Sequence, residues 1–171
     1  QWLSEFGFTA WNDIYDLVEA QSGKQVFSET HVILKDREVL LVFPKKIPAV
    51  QETYTIENEH TNLNFPLNLT FSKVLNISLN ENHTIFVDAD TIKFPLQLRK
   101  WQEGDYFYPA GMNGKKKLSK YFKDEKYSLL DKENQWLLCA EDQIIWVIGK
   151  RADNRFIVNE TTKNLIKIEL S

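Results

Sequence analysis

Five lysines fall within nine residues: Lys115, Lys116, Lys117, Lys120 and Lys123. They come directly after a turn-forming run, Pro109-Ala110-Gly111-Met112-Asn113-Gly114. Between them Leu118, Tyr121 and Phe122 recur at helical spacing, so one face can bury while the ammonium groups stay in water. Arg99-Lys100 upstream and Lys150-Arg151 with Arg155 downstream add further cations. Gly111 and Gly114 allow the backbone to approach a ligand closely. Tyr106, Phe107, Tyr108 and Tyr121 set rings among these charges, where they either stack on unpaired bases or fill a core. The chemistry this points to is neutralisation of phosphate by Arg99, Lys100, Lys115, Lys116, Lys117, Lys120, Lys123, Arg151 and Arg155.

Bond-making chemistry finds little support. His31, His60 and His83 lie far apart, with no Cys or His at ligand spacing, so no metal site is expected. Asp88-Ala-Asp90 reads as a strand end that caps the next turn, or as a lone cation contact. The six glycines are isolated and make no phosphate-cradling loop. Ser119 and Ser128 have no neighbouring histidine to activate them. Cys139, inside Trp136-Leu137-Leu138-Cys139-Ala140, reads as a small buried hydrophobe. The catalytic set is therefore empty.

At 171 residues and 43% hydrophobic content the chain has ample material for a core. A net charge of -3 excludes a protein that coats nucleic acid over its whole surface. The distribution is uneven: residues 1–98 carry 7 basic and 13 acidic groups, residues 99–171 carry 14 and 11. Such asymmetry predicts a local polyanion contact in the second half. The single cysteine rules out an internal disulfide and fits a reducing compartment, so a cytoplasmic location is expected. No apolar run approaches the ~20 residues that cross a bilayer, and no membrane association is expected. Asn-x-Ser/Thr triplets at Asn68, Asn76, Asn82 and Asn159 carry no weight without a secretory signal. The opening at Gln1 and the sole methionine, Met112, lead us to expect a piece of a longer protein.

Several elements must position the basic segment. Trp11, Ile14, Tyr15 and Val18 predict a helix over 11–20, with Thr9 as N-cap and Ser22-Gly23 as stop. Residues 30–43 predict a hairpin turning near Lys35-Asp36-Arg37. Pro44 and Pro48 bracket a Lys45-Lys46 boundary. Strands are predicted at 53–57, 67–71, 84–88, 135–140, 143–149, 155–158 and 165–170, with Pro66 and Pro95 at strand starts or edges. In the last strand Lys167 and Glu169 should face solvent.

Taken in chain order, several groups carry a resemblance. They are Leu98-Arg99, Gly104-Asp105, Pro109, Gly111-Met112, Gly114, Lys116-Lys117-Leu118-Ser119, Phe122 and Asp124-Glu125-Lys126. They continue in Trp136-Leu137-Leu138, Ile145-Trp146-Val147-Ile148-Gly149 and Arg151-Ala152-Asp153-Asn154-Arg155-Phe156. This run, about residues 96–158, resembles the C-terminal region of the tRNA(Ile)-lysidine synthetase family. Ser22-Gly23-Lys24 through Ser28-Glu29-Thr30-His31 to Asp36-Arg37 is similar to the end of that family's helical recognition domain. Residues 46–95 match no quotable pattern. Two departures stand out: Tyr106 where a basic residue often comes after Gly-Asp, and Tyr127-Ser128 where a proline is frequent.

The resemblance implies an α+β, β-dominated fold: an antiparallel, sandwich-like domain with short helices, similar to a module of the phenylalanyl-tRNA synthetase β subunit, preceded by a helical remnant. Residues 1–45 would be the C-terminal part of a helical substrate-recognition domain, and residues 46–171 the tRNA-binding domain. The implied whole protein is an ATP-dependent ligase that attaches lysine to the wobble cytidine of isoleucine tRNA, with ATP (as its magnesium complex) and lysine as substrates. Its Ser-Gly-Gly-x-Asp-Ser pyrophosphate loop does not occur in these 171 residues, so this piece is expected to be inactive alone and to hold no cofactor. Implied partners are isoleucine tRNA, gripped towards its acceptor stem, and the protein's own N-terminal catalytic domain. The nine cations above are the expected RNA contacts. The alternative is a structural or dimerising β-module whose lysines serve solubility alone.

Overall fold

The computed structural model describes residues 2–45, 53–60, 62–77 and 83–171. The chain divides into two compact units, Gln1–Val50 and Gln51–Ser171. The Lys45-Lys46-Pro48 boundary and the Asn76 and Asn82 triplets lie partly outside the described residues.

The first unit carries a 3-10 helix, Trp2–Phe6, helix α1, Trp11–Val18, and strands β1 (Gln25–Phe27), β2 (His31–Asp36) and β3 (Val39–Pro44) in an antiparallel sheet of order β1-β2-β3. The expected hairpin is present, with Asp36 opposite Val39 and Arg37 taking the positive φ of 55° that the tight turn needs. Ile14 and Leu17 of α1 pack with Phe8 and Ile33. Lys35 is buried, and its Nζ donates to the carbonyl of Val18 at 2.7 Å, closing the helix end with a cation. Thr9 is not the cap: Ala10 holds that position without a side-chain bond. Helix in this unit is confined to Trp2–Phe6 and Trp11–Val18, and the expected helical remnant also carries a three-stranded sheet.

The second unit holds strands β4 (Thr53–Ile56), β5 (Leu69–Val74), β6 (Thr84–Asp88), β7 (Leu96–Lys100), β8 (Tyr106–Phe107), β9 (Lys116–Lys117), β10 (Trp136–Ala140), β11 (Gln143–Val147), β12 (Arg151–Ala152) and β13 (Leu165–Leu170), with helices α2 (Leu118–Asp124) and α3 (Leu129–Asn134). A five-stranded antiparallel sheet runs β12-β11-β10-β7-β4, and a three-stranded one runs β5-β13-β6. The two share a core in which Leu96, Leu98, Leu138 and Trp146 from the larger sheet meet Leu69, Val87, Ile166 and Ile168 from the smaller. The other face of the larger sheet is covered as well: Leu137, Cys139, Ile144 and Val147 pack with Leu118, Tyr121 and Phe122 of α2. Burial on both faces explains why β10 and β11 read as unbroken apolar runs rather than alternating ones.

Asp88 ends β6, its carboxylate accepting the Asp90 N–H at 3.0 Å as the head of a short 3-10 turn. Lys167 and Glu169 pair at 2.8 Å on the outer side of β13. The strand expected at 155–158 is absent. The ladder of β12 ends at Ala152, Asp153 gathers the N–H groups of Tyr108 and Arg155 on its carboxylate, and beyond it single bridges join Asp153 to Pro109 and Ile157 to Val87. Local side-chain acceptors here displace the ladder. Ser128 is a helix cap rather than a nucleophile candidate: its Oγ accepts from the Asp131 N–H while the Asp131 carboxylate accepts from the Ser128 N–H.

Burial pushes the Cys139 thiol from 9.0 up to about 12, a shift that Arg99 partly opposes. The folded value lies above the unfolded one, so this contribution to stability is complete below about pH 9 and fades as pH rises towards 12. Urea midpoints should therefore fall across that window in the wild type and fall less in Cys139→Ala. At neutral pH an aromatic disulfide reagent should label the thiol only after unfolding.

Candidate nucleic-acid interface

The apolar face of α2 is fixed by the sheet beneath it, and this decides where the lysines go. Leu118, Tyr121 and Phe122 are all buried, whereas Lys120 and Lys123, three residues apart on the opposite side, are exposed. β9 leads into the helix with Lys117 at its N-cap position, also exposed. Gly111 and Gly114 deliver the chain to β9 with φ of 77° and 86°. Nothing crowds either position, so the glycines serve backbone conformation rather than close packing.

The start of the helix is held by an ion pair. Arg99 lies opposite Leu137 in the ladder, which puts it on the sheet face that α2 covers. Its guanidinium donates to both carboxylate oxygens of Asp105, at 2.8 and 2.9 Å, and the two side chains are 8% and 11% exposed. The Asp105 carbonyl accepts the Leu118 N–H at 2.8 Å, and its carboxylate accepts the Gln102 N–H at 2.8 Å. The hydrogen bond to Asp105 raises the Arg99 pKa further, so the guanidinium stays charged. Arg99, expected among the phosphate contacts, is instead a buried clamp.

The other cations sort by what they touch. Lys116 is mostly buried and pairs with Asp124 at 2.9 Å, and this hydrogen bond holds the Asp124 carboxyl below its usual range. Arg155 forms two hydrogen bonds to the fully buried Asp153, at 3.0 and 2.8 Å, and lies 4.6 Å from the Tyr108 ring centre. Arg151 donates to the Ala110 carbonyl at 3.3 Å. Lys100 donates to the Asn134 carbonyl at 2.8 Å and sits 3.9 Å from the centre of a Trp136 ring. Lys115 is exposed, its Nζ 3.4 Å over Tyr106. Among the described residues Lys117, Lys120 and Lys123 make no ion pair.

Lys115, Lys117, Lys120 and Lys123 are thus exposed, whereas Arg99, Lys116 and Arg155 are committed to carboxylates. Phe107 and Tyr121 are core residues; Tyr106 and Tyr108 keep exposed surface. Sequence reasoning missed Asp105 and Asp153 as organisers, although each stands a few residues from the arginine it holds. Among the described residues no three His, Cys, Asp or Glu side chains converge as a metal site, and no helix is long and apolar enough to cross a membrane.

A family model described as the TilS substrate binding domain matches residues 1–45, and one described as the TilS substrate C-terminal domain matches residues 96–170. The chain is 41% identical over 170 residues to the tRNA(Ile)-lysidine synthase of Parabacteroides distasonis, covering 96% of this chain and 39% of that protein. It is also 41% identical over 159 residues to that of Bacteroides thetaiotaomicron, covering 90% of this chain and 34% of that protein. A crystal structure of the TILS C-terminal domain superposes with a TM-score of 0.57 at 21% identity, covering 70% of this chain and 97% of that one. The fold of the second unit is accordingly that of a TilS C-terminal domain. The chain belongs to the tRNA(Ile)-lysidine synthase family and spans less than two fifths of the length of these two relatives.

Removing the Asp105 carboxylate leaves the Arg99 charge buried without its counter-ion and the Gln102 N–H without its acceptor. Asp105→Ala should cost about 3–5 kcal/mol, read as a lowered urea midpoint. Lys120→Ala, on the open face, should change stability by no more than about 0.5 kcal/mol.

Proposed function

We propose that this chain is the tRNA-gripping part of an ATP-dependent ligase that attaches lysine to the wobble cytidine of isoleucine tRNA in the cytoplasm. The observation that carries this reading is that Lys115, Lys117, Lys120 and Lys123, on β9, on α2 and just before them, are all exposed and form no ion pair among the described residues. Paired RNA offers phosphates and 2′-hydroxyls rather than readable base edges, and ammonium groups on a rigid helix suit such a surface. The acceptor-stem side of the tRNA is the portion we assign to it. Holding a whole tRNA in one orientation brings the anticodon to a catalytic domain elsewhere in the protein.

We assign no ATP–magnesium site to the described residues. The buried carboxylates Asp105 and Asp153 are each tied to an arginine, and no acidic group of three converges. ATP and lysine are therefore assigned to the N-terminal catalytic domain as substrates, and this piece positions RNA only. A second reading, a self-associating module, draws on α1, where Trp11, Tyr15 and Val18 are 40%, 75% and 46% exposed along one side. That reading requires a mass that rises with concentration in sedimentation and no salt-sensitive RNA affinity.

Fluorescence anisotropy with isoleucine tRNA should show affinity falling steeply with salt. The triple variant Lys117→Ala, Lys120→Ala, Lys123→Ala should weaken binding and shallow the log–log salt slope by up to about 0.9 per lost contact. Lys167→Ala, a cation paired with Glu169 on β13, should bind as the wild type does. Equal affinity and slope in the triple variant would sink this assignment.

A further inference from the structure

Two rings of the lysine-bearing segment have no task in phosphate neutralisation, and their arrangement is specific. Tyr106 is the ladder partner of Lys117, which sets both side chains on one face, while the next residue, Phe107, points into the core. The Tyr106 and Tyr108 rings meet edge to face, 6.3 Å apart at 76°. A cation lies against each: Lys115 Nζ at 3.4 Å from the Tyr106 centre and the Arg155 guanidinium at 4.6 Å from that of Tyr108.

The two cations are held very differently. Arg155 is fixed by a double hydrogen bond to Asp153, which is 0% exposed and also accepts the Tyr108 N–H at 2.9 Å. Tyr108 is thereby preorganised on both its ring and its backbone. Lys115 is exposed, makes no ion pair among the described residues, and reaches the Tyr106 ring on a flexible four-carbon stem. Tyr106 itself is 38% exposed. An ammonium over an exposed ring is a weaker contact than a base stacked on it, so a base can replace the ammonium.

Resting on the RNA-gripping reading above, we propose that Tyr106 and Tyr108 form a stacking platform for one unpaired nucleotide where a single strand leaves a stem. The base takes the Tyr106 face, and Lys115 swings from the ring to that nucleotide's phosphate. The platform tolerates any base, because every base has a π face. It divides labour with α2: lysines grip the paired backbone, and tyrosines take the first nucleotide beyond it.

The test uses the 171-residue chain and hairpin RNAs of one stem, either blunt or extended by a short 3′ single strand with 2-aminopurine as its first unpaired base. The extended RNA should bind about fivefold or more tighter than the blunt one, with 2-aminopurine quenched in the complex. Tyr106→Leu should abolish both effects while leaving blunt-stem affinity and its salt slope unchanged; Tyr106→Phe should retain both. Equal wild-type affinity for salt-sensitive blunt and extended RNAs overturns the platform and leaves the RNA-gripping function standing. So does a preference that survives in Tyr106→Leu. No salt-sensitive binding to either RNA overturns both proposals. The wild-type comparison needs no variant, so it decides even if a substitution fails to fold.

Discussion

The ion pair between Arg99 and Asp105 sits where strand, loop and helix meet. It is anchored in β7, a strand bonded to β4 on one side and β10 on the other, and so belongs to the most constrained part of the larger sheet. Asp105 joins that strand to the first turn of α2 by accepting from Arg99 with its carboxylate and from Leu118 with its carbonyl. A buried pair of this kind adds little net stability over apolar packing, but it tolerates no partner loss. What it provides is placement: the helix that carries the open lysines starts at a fixed point on a rigid sheet.

The same logic recurs at Asp153. A fully buried carboxylate organises a loop backbone and holds an arginine against a ring. Two carboxylates thus fix Arg99 and Arg155 in the framework, while Lys115, Lys117, Lys120 and Lys123 stay exposed. Guanidinium groups suit planar, two-pronged partners inside the protein, whereas ammonium groups on flexible stems suit phosphates whose positions vary. The division by residue type arises from these geometries.

Much of the framework was legible in the residues. β6 and β13 appear with the expected bounds, and the turn at Glu141-Asp142 falls between β10 and β11, because strong apolar runs of the right length leave few alternatives. The unread parts share a cause. The strand expected at 155–158 is reduced to one bridge at Ile157, where Asp153 captures nearby donors, a tertiary effect invisible in a local pattern. α3 was legible in principle, since Ser128 and Asp131 stand at capping-box spacing, but its six residues give too little periodicity to notice. For the interface, spacing separated Leu118, Tyr121 and Phe122 from Lys120 and Lys123 correctly. It could not tell an arginine facing solvent from one folded under a helix, so Arg99 was misplaced.

The position of β13 has a bearing on how the molecule is made. It lies between β5 and β6, each of which pairs with it along most of its length and not with the other. Both wait for a partner far downstream in the chain, so that sheet cannot zip up from local hairpins. Emerging from the ribosome, β5 and β6 would travel as open edges through the synthesis of the whole lysine-bearing segment, in the class of topologies that assemble slowly.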